Sequence, residues 1–126
     1  MKDIFSILIV FALCANLVTA QEPPKPGSPV IGWDSLASLI RYPEVPRRAG
    51  MEGAAFVFGS IDTSGSIDTV TIYAIEPFKE AVRRAIYSTK WQHIKHMHSS
   101  LHFNVHFFIS NRKRVNVEVE PFKPVH

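Results

Sequence analysis

Apolar and polar residues alternate along this chain in two periods, and the switches between them mark out the elements. Over residues 54–62 the alternation is that of a strand: Phe56 and Phe58 point one way, and Ala55, Val57 and Ile61 the other. Residues 67–75 repeat it, with Val70, Ile72 and Ala74 opposed to Thr69, Thr71 and Tyr73. Polar residues 63–66 lie between, with Gly65 free to take positive φ, so the two runs predict an antiparallel hairpin. A third strand is predicted over 101–109. Leu101, Phe103, Val105, Phe107 and Ile109 face one side of it, and His102, Asn104, His106 and Phe108 the other. Val115, Val117 and Val119 alternate with Asn116, Glu118 and Glu120, which predicts a fourth strand ended by Pro121. The Phe56–Phe58 and Phe103–Phe107 sets are the expected core.

Between the second and third strands the period changes. Phe78, Ala81, Val82, Ala85, Ile86 and Thr89 recur at three and four over 78–91, while Lys79, Glu80, Arg83, Arg84 and Lys90 fall elsewhere. This predicts an amphipathic helix laid on one sheet face, with Pro77 in its first turn and Glu80–Arg84 as an i,i+4 pair. Two short helices precede the hairpin. Asp34 is the expected N-cap of one over 35–40, with Leu36, Leu39 and Ile40 on one face. Pro43 is the expected first residue of the next, which runs to 49 and stops at Gly50. The fold class is α+β: two short helices, a hairpin, an amphipathic helix on a small antiparallel sheet, and a third and fourth strand.

The ends read differently. Residues 1–20 have the pattern of a secretory signal peptide. Lys2 leads an apolar run over 4–13, and Val18-Thr19-Ala20 places small residues at the cleavage position. An uncleaved signal anchor is the alternative, since 4–20 is near the short limit for spanning a bilayer. Cys14, the only cysteine, lies in the apolar run behind Leu13, an unsuitable context for lipidation. Cleavage would leave a chain without thiol chemistry and of a length for one small domain. Residues 21–33 are proline-rich at their start and read as an extended linker. The domain is expected over 34–120, with 121–126 as tail.

Charge and candidate chemistry change this picture little. The formal net charge is +3. No basic stripe concentrates it, which excludes a dedicated nucleic-acid binder. Ser64, Ser66, Ser99 and Ser100 lack a nucleophile elbow, and Asp62 and Asp68 flank the hairpin turn as turn formers. No enzyme activity and no cofactor are expected. The cluster of histidines over 93–106 invites a metal reading. His102 and His106 are about 13 Å apart along a strand, too far for one ion. His93, His96 and His98 remain the alternative metal set of a periplasmic metal-handling protein. These imidazoles would also gain charge at mildly acidic pH.

The chain resembles the C-terminal domain of TonB, the energy transducer of Gram-negative cell envelopes. The motifs are Tyr42-Pro43, Arg47-Arg48, Gly50-Met51-Glu52-Gly53, Asp62-Thr63-Ser64-Gly65, then Phe78, Glu80, Ala81, Ala85 and Lys90-Trp91, in the family's order and spacing. The chain departs from the family pattern at Gln92-His93 and at residues 96–100, and it lacks the long proline-rich spacer and anchor histidine. The resemblance therefore implies a freestanding short form: a periplasmic, transport-related protein-binding module. Its partner would be the TonB-box peptide of an outer-membrane receptor or another envelope protein, added as a strand along residues 101–109. If the fourth strand pairs with 101–109, that edge is self-capped. A homodimer through the sheet edge, as in a self-associating envelope domain, is the further alternative. Membrane attachment, at the inner membrane, would require an uncleaved N-terminal segment.

Overall fold

Strands β1 (Gly53–Ile61) and β2 (Ile67–Tyr73) form the hairpin that their alternation predicts. The structure is a computed structural model that describes residues 25–111 and 113–122. The predicted targeting segment, the first residues of the linker and the end of the tail lie outside the described residues. At the turn, the Asp62 carboxylate accepts the Ser64 and Ser66 backbone N–H groups at 2.8 and 3.1 Å. Gly65 there has φ 88°, in the region where a side chain would be strained.

Helix α1 (Trp33–Leu39) and helix α2 (Glu44–Ala49) precede the hairpin, and α3 (Glu76–Ser88) follows it. Strands β3 (Ser99–Ile109) and β4 (Val115–Pro121) complete an antiparallel sheet of order β2-β1-β3-β4. The helices cover one face of it. Leu36 and Ile40 before the hairpin, and Phe78, Val82, Ala85 and Ile86 on α3, close over Ala55, Val57, Ile61, Ile72, Leu101, Phe103, Val105 and Phe107. Among the described residues no helix is long and apolar enough to cross a membrane.

Several expectations are corrected. Phe56 and Phe58 are not core: they are 45% and 41% exposed, on the sheet face away from the helices. Both faces of β1 are apolar, so its own pattern does not choose between them. The choice comes from pairing, because Val57 lies opposite Phe103 and cross-strand partners share a face. Burying Leu101, Phe103, Val105 and Phe107 turns Phe56 and Phe58 outward.

Asp34 lies in the first turn of α1 and does not cap it; Gly32 holds the N-cap position with no side-chain bond. Leu39 is about half exposed, since a helix this short presents only Leu36 and the following Ile40 to the sheet. Pro43 is the N-cap of α2, one position earlier than expected, while Gly50 ends that helix in the left-handed conformation. Helix α3 stops at Ser88, before the expected 91. The Ser88 and Thr89 hydroxyls both bond back to the Ala85 carbonyl, and Thr89 is extended. Trp91 instead turns into the core, where its indole N–H donates to the Ile86 carbonyl at 3.2 Å.

That turn also captures the approach to the domain. Gly27 and Val30 donate backbone N–H groups to the carbonyls of Gln92 and Lys90, and Gln92 donates to Ser28. Gly27 and Pro29 are buried. The stretch expected to be extended linker is thus tied to the α3–β3 connection from Gly27 onward.

Candidate peptide-docking edge

Strand β3 is the expected docking strand, and its backbone faces two neighbours. Alternate residues of an antiparallel strand direct their N–H and C=O groups to opposite sides. The Phe122 N–H bonds the His102 carbonyl at 3.3 Å, and the register continues through Asn104–Glu120, His106–Glu118 and Phe108–Asn116. His102, Asn104, His106 and Phe108 therefore face β4. Leu101, Phe103, Val105 and Phe107 face β1, opposite Gly59, Val57, Ala55 and Gly53. Ile109 lies just beyond the last β1 pair, and Glu52 takes over there, its Oε2 accepting the Ile109 N–H at 3.0 Å.

The strand expected to offer a free edge thus runs inside the sheet, with β4 along the side that a peptide would use. The core side of β3 is fully packed. Its outer side carries His102, Asn104, His106 and Phe108, all half-buried. His102 lies between two rings, with centroid distances of 4.3 Å to Phe58 and 4.1 Å to Phe122. Tyr73 continues this row at 5.9 Å from Phe58. His106 approaches Glu120 on β4, with Nε2 3.5 Å from the carboxylate. No periodicity argument could supply that pairing, because it needs the register between two strands.

Two of the short motifs brace this strand. The Tyr42 ring stands edge-on to Phe78 and Phe107 at 5.8 and 5.6 Å, and its hydroxyl donates to the Met51 carbonyl. Burial, with the nearby Glu52 charge, raises the Tyr42 pKa. Glu52 clamps the end of β3 as described. Glu44 binds both Arg47 and Arg48 on the exposed face of α2, and these two arginines hold its pKa below the ordinary carboxylate value.

The alternative metal residues are placed apart in role. His93 lies against Gly65 and the Trp91 carbonyl, His96 takes a left-handed backbone with φ 68°, and His98 is 3.7 Å from Asp68. Among the described residues, no three His, Cys, Asp or Glu side chains are gathered to hold a metal ion. Two grooves flank the helices. One of about 680 Å³ runs between Arg41–Glu44 and the outer side of α3. Another of about 550 Å³ separates α1 from β4.

The family model for the Gram-negative bacterial TonB protein C-terminal matches residues 38–119, a span that runs from α1 into β4. No curated protein and no solved structure matches the chain.

Proposed function

The chain belongs to the Gram-negative bacterial TonB protein C-terminal family, and from that premise we propose that it is a periplasmic protein-binding module working by strand exchange. An extended peptide of an outer-membrane receptor, or of another envelope protein, replaces β4 along β3. It takes up the backbone groups of His102, Asn104, His106 and Phe108, while Leu101, Phe103, Val105, Phe107 and Ile109 keep the strand seated on β1. Transport at the envelope is the process it serves. The N-terminal segment is removed on secretion; if it is retained, the module is tethered at the inner membrane.

The observation that carries this reading is the way β4 is held. It occupies the whole ladder beside β3 from Val115 to Pro121, yet none of its residues is fully buried. Its removal costs mainly backbone hydrogen bonds, and an incoming strand restores those. Val117 and Val119 pack only partly on the core. The module is therefore self-capped, and its apparent affinity is the intrinsic one reduced by the fraction of molecules with the cap open. A second copy of the chain at a free sheet edge is the other partner that this framework admits.

The test is an amide NMR titration of the full-length chain with TonB-box-like peptides, repeated on a chain stopped after Ser110 and on Glu118→Pro. Glu118 directs its N–H at β3, so proline there weakens the cap while leaving the core intact. Shifts should concentrate on His102, Asn104, His106 and Phe108, and both variants should bind about tenfold or more tightly. Unchanged affinity in both would sink the exchange mechanism.

A further inference from the structure

We propose that the connection between α3 and β3 is a membrane seat, in which Ile94 and Met97 enter the headgroup layer of an anionic bilayer and nearby lysines hold its phosphates. The connection is closed as a turn. The Met97 N–H bonds the Ile94 carbonyl at 3.2 Å, and His96 takes φ 68°. Ile94 and Met97 therefore stand across the turn from one another, with Lys95 and His96 at its tip. They are 44% and 59% exposed, and neither belongs to the core or to the apolar residues packed against it. A single exposed apolar side chain is ordinary. Here Val30 and Ile31 are exposed as well, on the segment tied to this connection, where the Val30 N–H bonds the Lys90 carbonyl. Such a gathering marks an interaction surface.

Charge selects lipid as the occupant. Lys25, Lys90 and Lys95 are exposed at this end of the sheet. The acids near them are engaged or turned aside. Asp62 accepts the N–H groups of its turn, and Asp68 accepts the Ser60 hydroxyl at 3.3 Å and approaches His98. Asp34 lines the groove beside β4. Interfacial binding grows with buried apolar area and with cations beside anionic lipid, about fivefold for each lysine. Tyr87, exposed at the end of α3, lines one groove with Lys90 and is of the residue type that settles at a bilayer interface.

The course of the chain supports the same occupant. Gly27 and Ser28 are bonded to Gln92 in this connection, so the chain enters the domain at this end. Residues 21–24 alone separate Lys25 from the apolar run ending at Ala20, a reach of at most about 18 Å. Retained as an anchor, that run holds this end of the domain against the lipid, and not the β3–β4 turn at the other. The cleaved chain keeps the seat as a weak, reversible hold on the membrane surface. The seat uses no residue of β3 or β4, so it stands apart from strand exchange.

Two measurements without peptide test the seat. The first is co-sedimentation with vesicles of the chain from Gln21, which keeps every residue of the core cluster and lacks the apolar run. Any binding is then the domain's own. It should bind vesicles of phosphatidylglycerol and phosphatidylcholine, with little binding to phosphatidylcholine alone. Lys90→Gln and Lys95→Gln should each weaken binding about fivefold. Ile94→Ser with Met97→Ser, at exposed side chains that the core does not use, should weaken it about tenfold or more. The second is amide broadening by a spin-labelled headgroup, with the full-length chain in nanodiscs of the mixed lipid. Broadening should be greatest from Ile94 to Met97 and slight at Ser110 and Arg114, at the opposite end of the sheet. No binding to the mixed vesicles overturns the proposal. Binding that ignores the serine pair is general attraction of a basic chain and overturns it too. So does equal broadening at both ends, which is a tether without a seat.

Discussion

Strand β3 buries Leu101, Phe103, Val105 and Phe107 beneath the helices, while β4, one strand away on the same ladder, buries no side chain fully. The two are joined by the same kind of backbone bond. They differ in what lies behind the backbone. Buried apolar area holds β3 in the sheet whether or not its outer edge is paired, because that area contributes most of the favourable free energy of folding. For β4 the ladder is most of what holds it, and a net hydrogen bond is worth only about 1 kcal/mol. A sheet built in this way has one strand that defines the fold and one that the proposed exchange would trade. The first substitutions should expose that difference most strongly. Phe103→Ala should cost about 3–5 kcal/mol in denaturant unfolding, the range for a fully buried aromatic, against about 1 kcal/mol for Val119→Ala. Equal losses would mean that β4 is as much a part of the core as β3.

The two hairpin turns carry the same contrast on a smaller scale. Between β1 and β2, Gly65 occupies the positive-φ position, and the Asp62 carboxylate gathers the N–H groups of the turn. Between β3 and β4, Lys113 takes positive φ, and the turn is closed by backbone bonds from Lys113 to Ser110 and from Ser110 to Arg114. A left-handed lysine costs about 1–2 kcal/mol relative to a residue free to adopt that conformation. Part of the looseness of β4 is thus written into its turn. Lys113→Gly should return roughly 1 kcal/mol to the closed cap, slowing amide exchange at His102, Asn104, His106 and Phe108 by about fivefold and weakening peptide binding by a similar factor. Slowed exchange with unchanged peptide affinity would separate cap opening from binding.

Much of this was legible in the residues. The alternation of β2, β3 and β4, the period of α3 and the glycine stop after α2 each follow from a local pattern, and each formed. What was not legible depended on partners distant in sequence. Phe56 and Phe58 look like core because the larger residues of an alternating run usually are, yet the β3 register turns them outward. Trp91 looks like the end of a helix, but its indole finds the Ile86 carbonyl and its backbone pairs with Pro29. For the candidate site, the strand itself was visible in 101–109. That β4 lies along it is a pairing fact, which the sequence could only pose as a condition. Glu52 was legible as part of a motif, but its bond to Ile109, across 57 residues, was not.

The smallest expected effect probes the firm hairpin alone and leaves β4 as the control. Hydrogen bonds from the Ser64 hydroxyl, then from the Ser64 and Ser66 backbone, hold the Asp62 carboxyl below the usual carboxylate range. The ionised carboxylate is what these donors hold. The stabilisation is therefore fully present above the unfolded-state pKa and is lost as pH falls through the depressed folded-state value. Asp62→Asn should destabilise the domain at pH 6, and the difference from the parent should shrink as the pH falls below the ordinary carboxylate range. Asp62 is at the surface, where solvent screens it, so the loss should be modest. The informative comparison is spatial: amide exchange should quicken over 62–66 at pH 6 and stay unchanged over 115–121. The Asp62 turn closes the β1–β2 hairpin at one edge of the sheet, and the core lies between it and β4. Quickened exchange in β4 would mean that the two outer strands open together, and the division of the sheet into a fixed part and a tradable strand would fail.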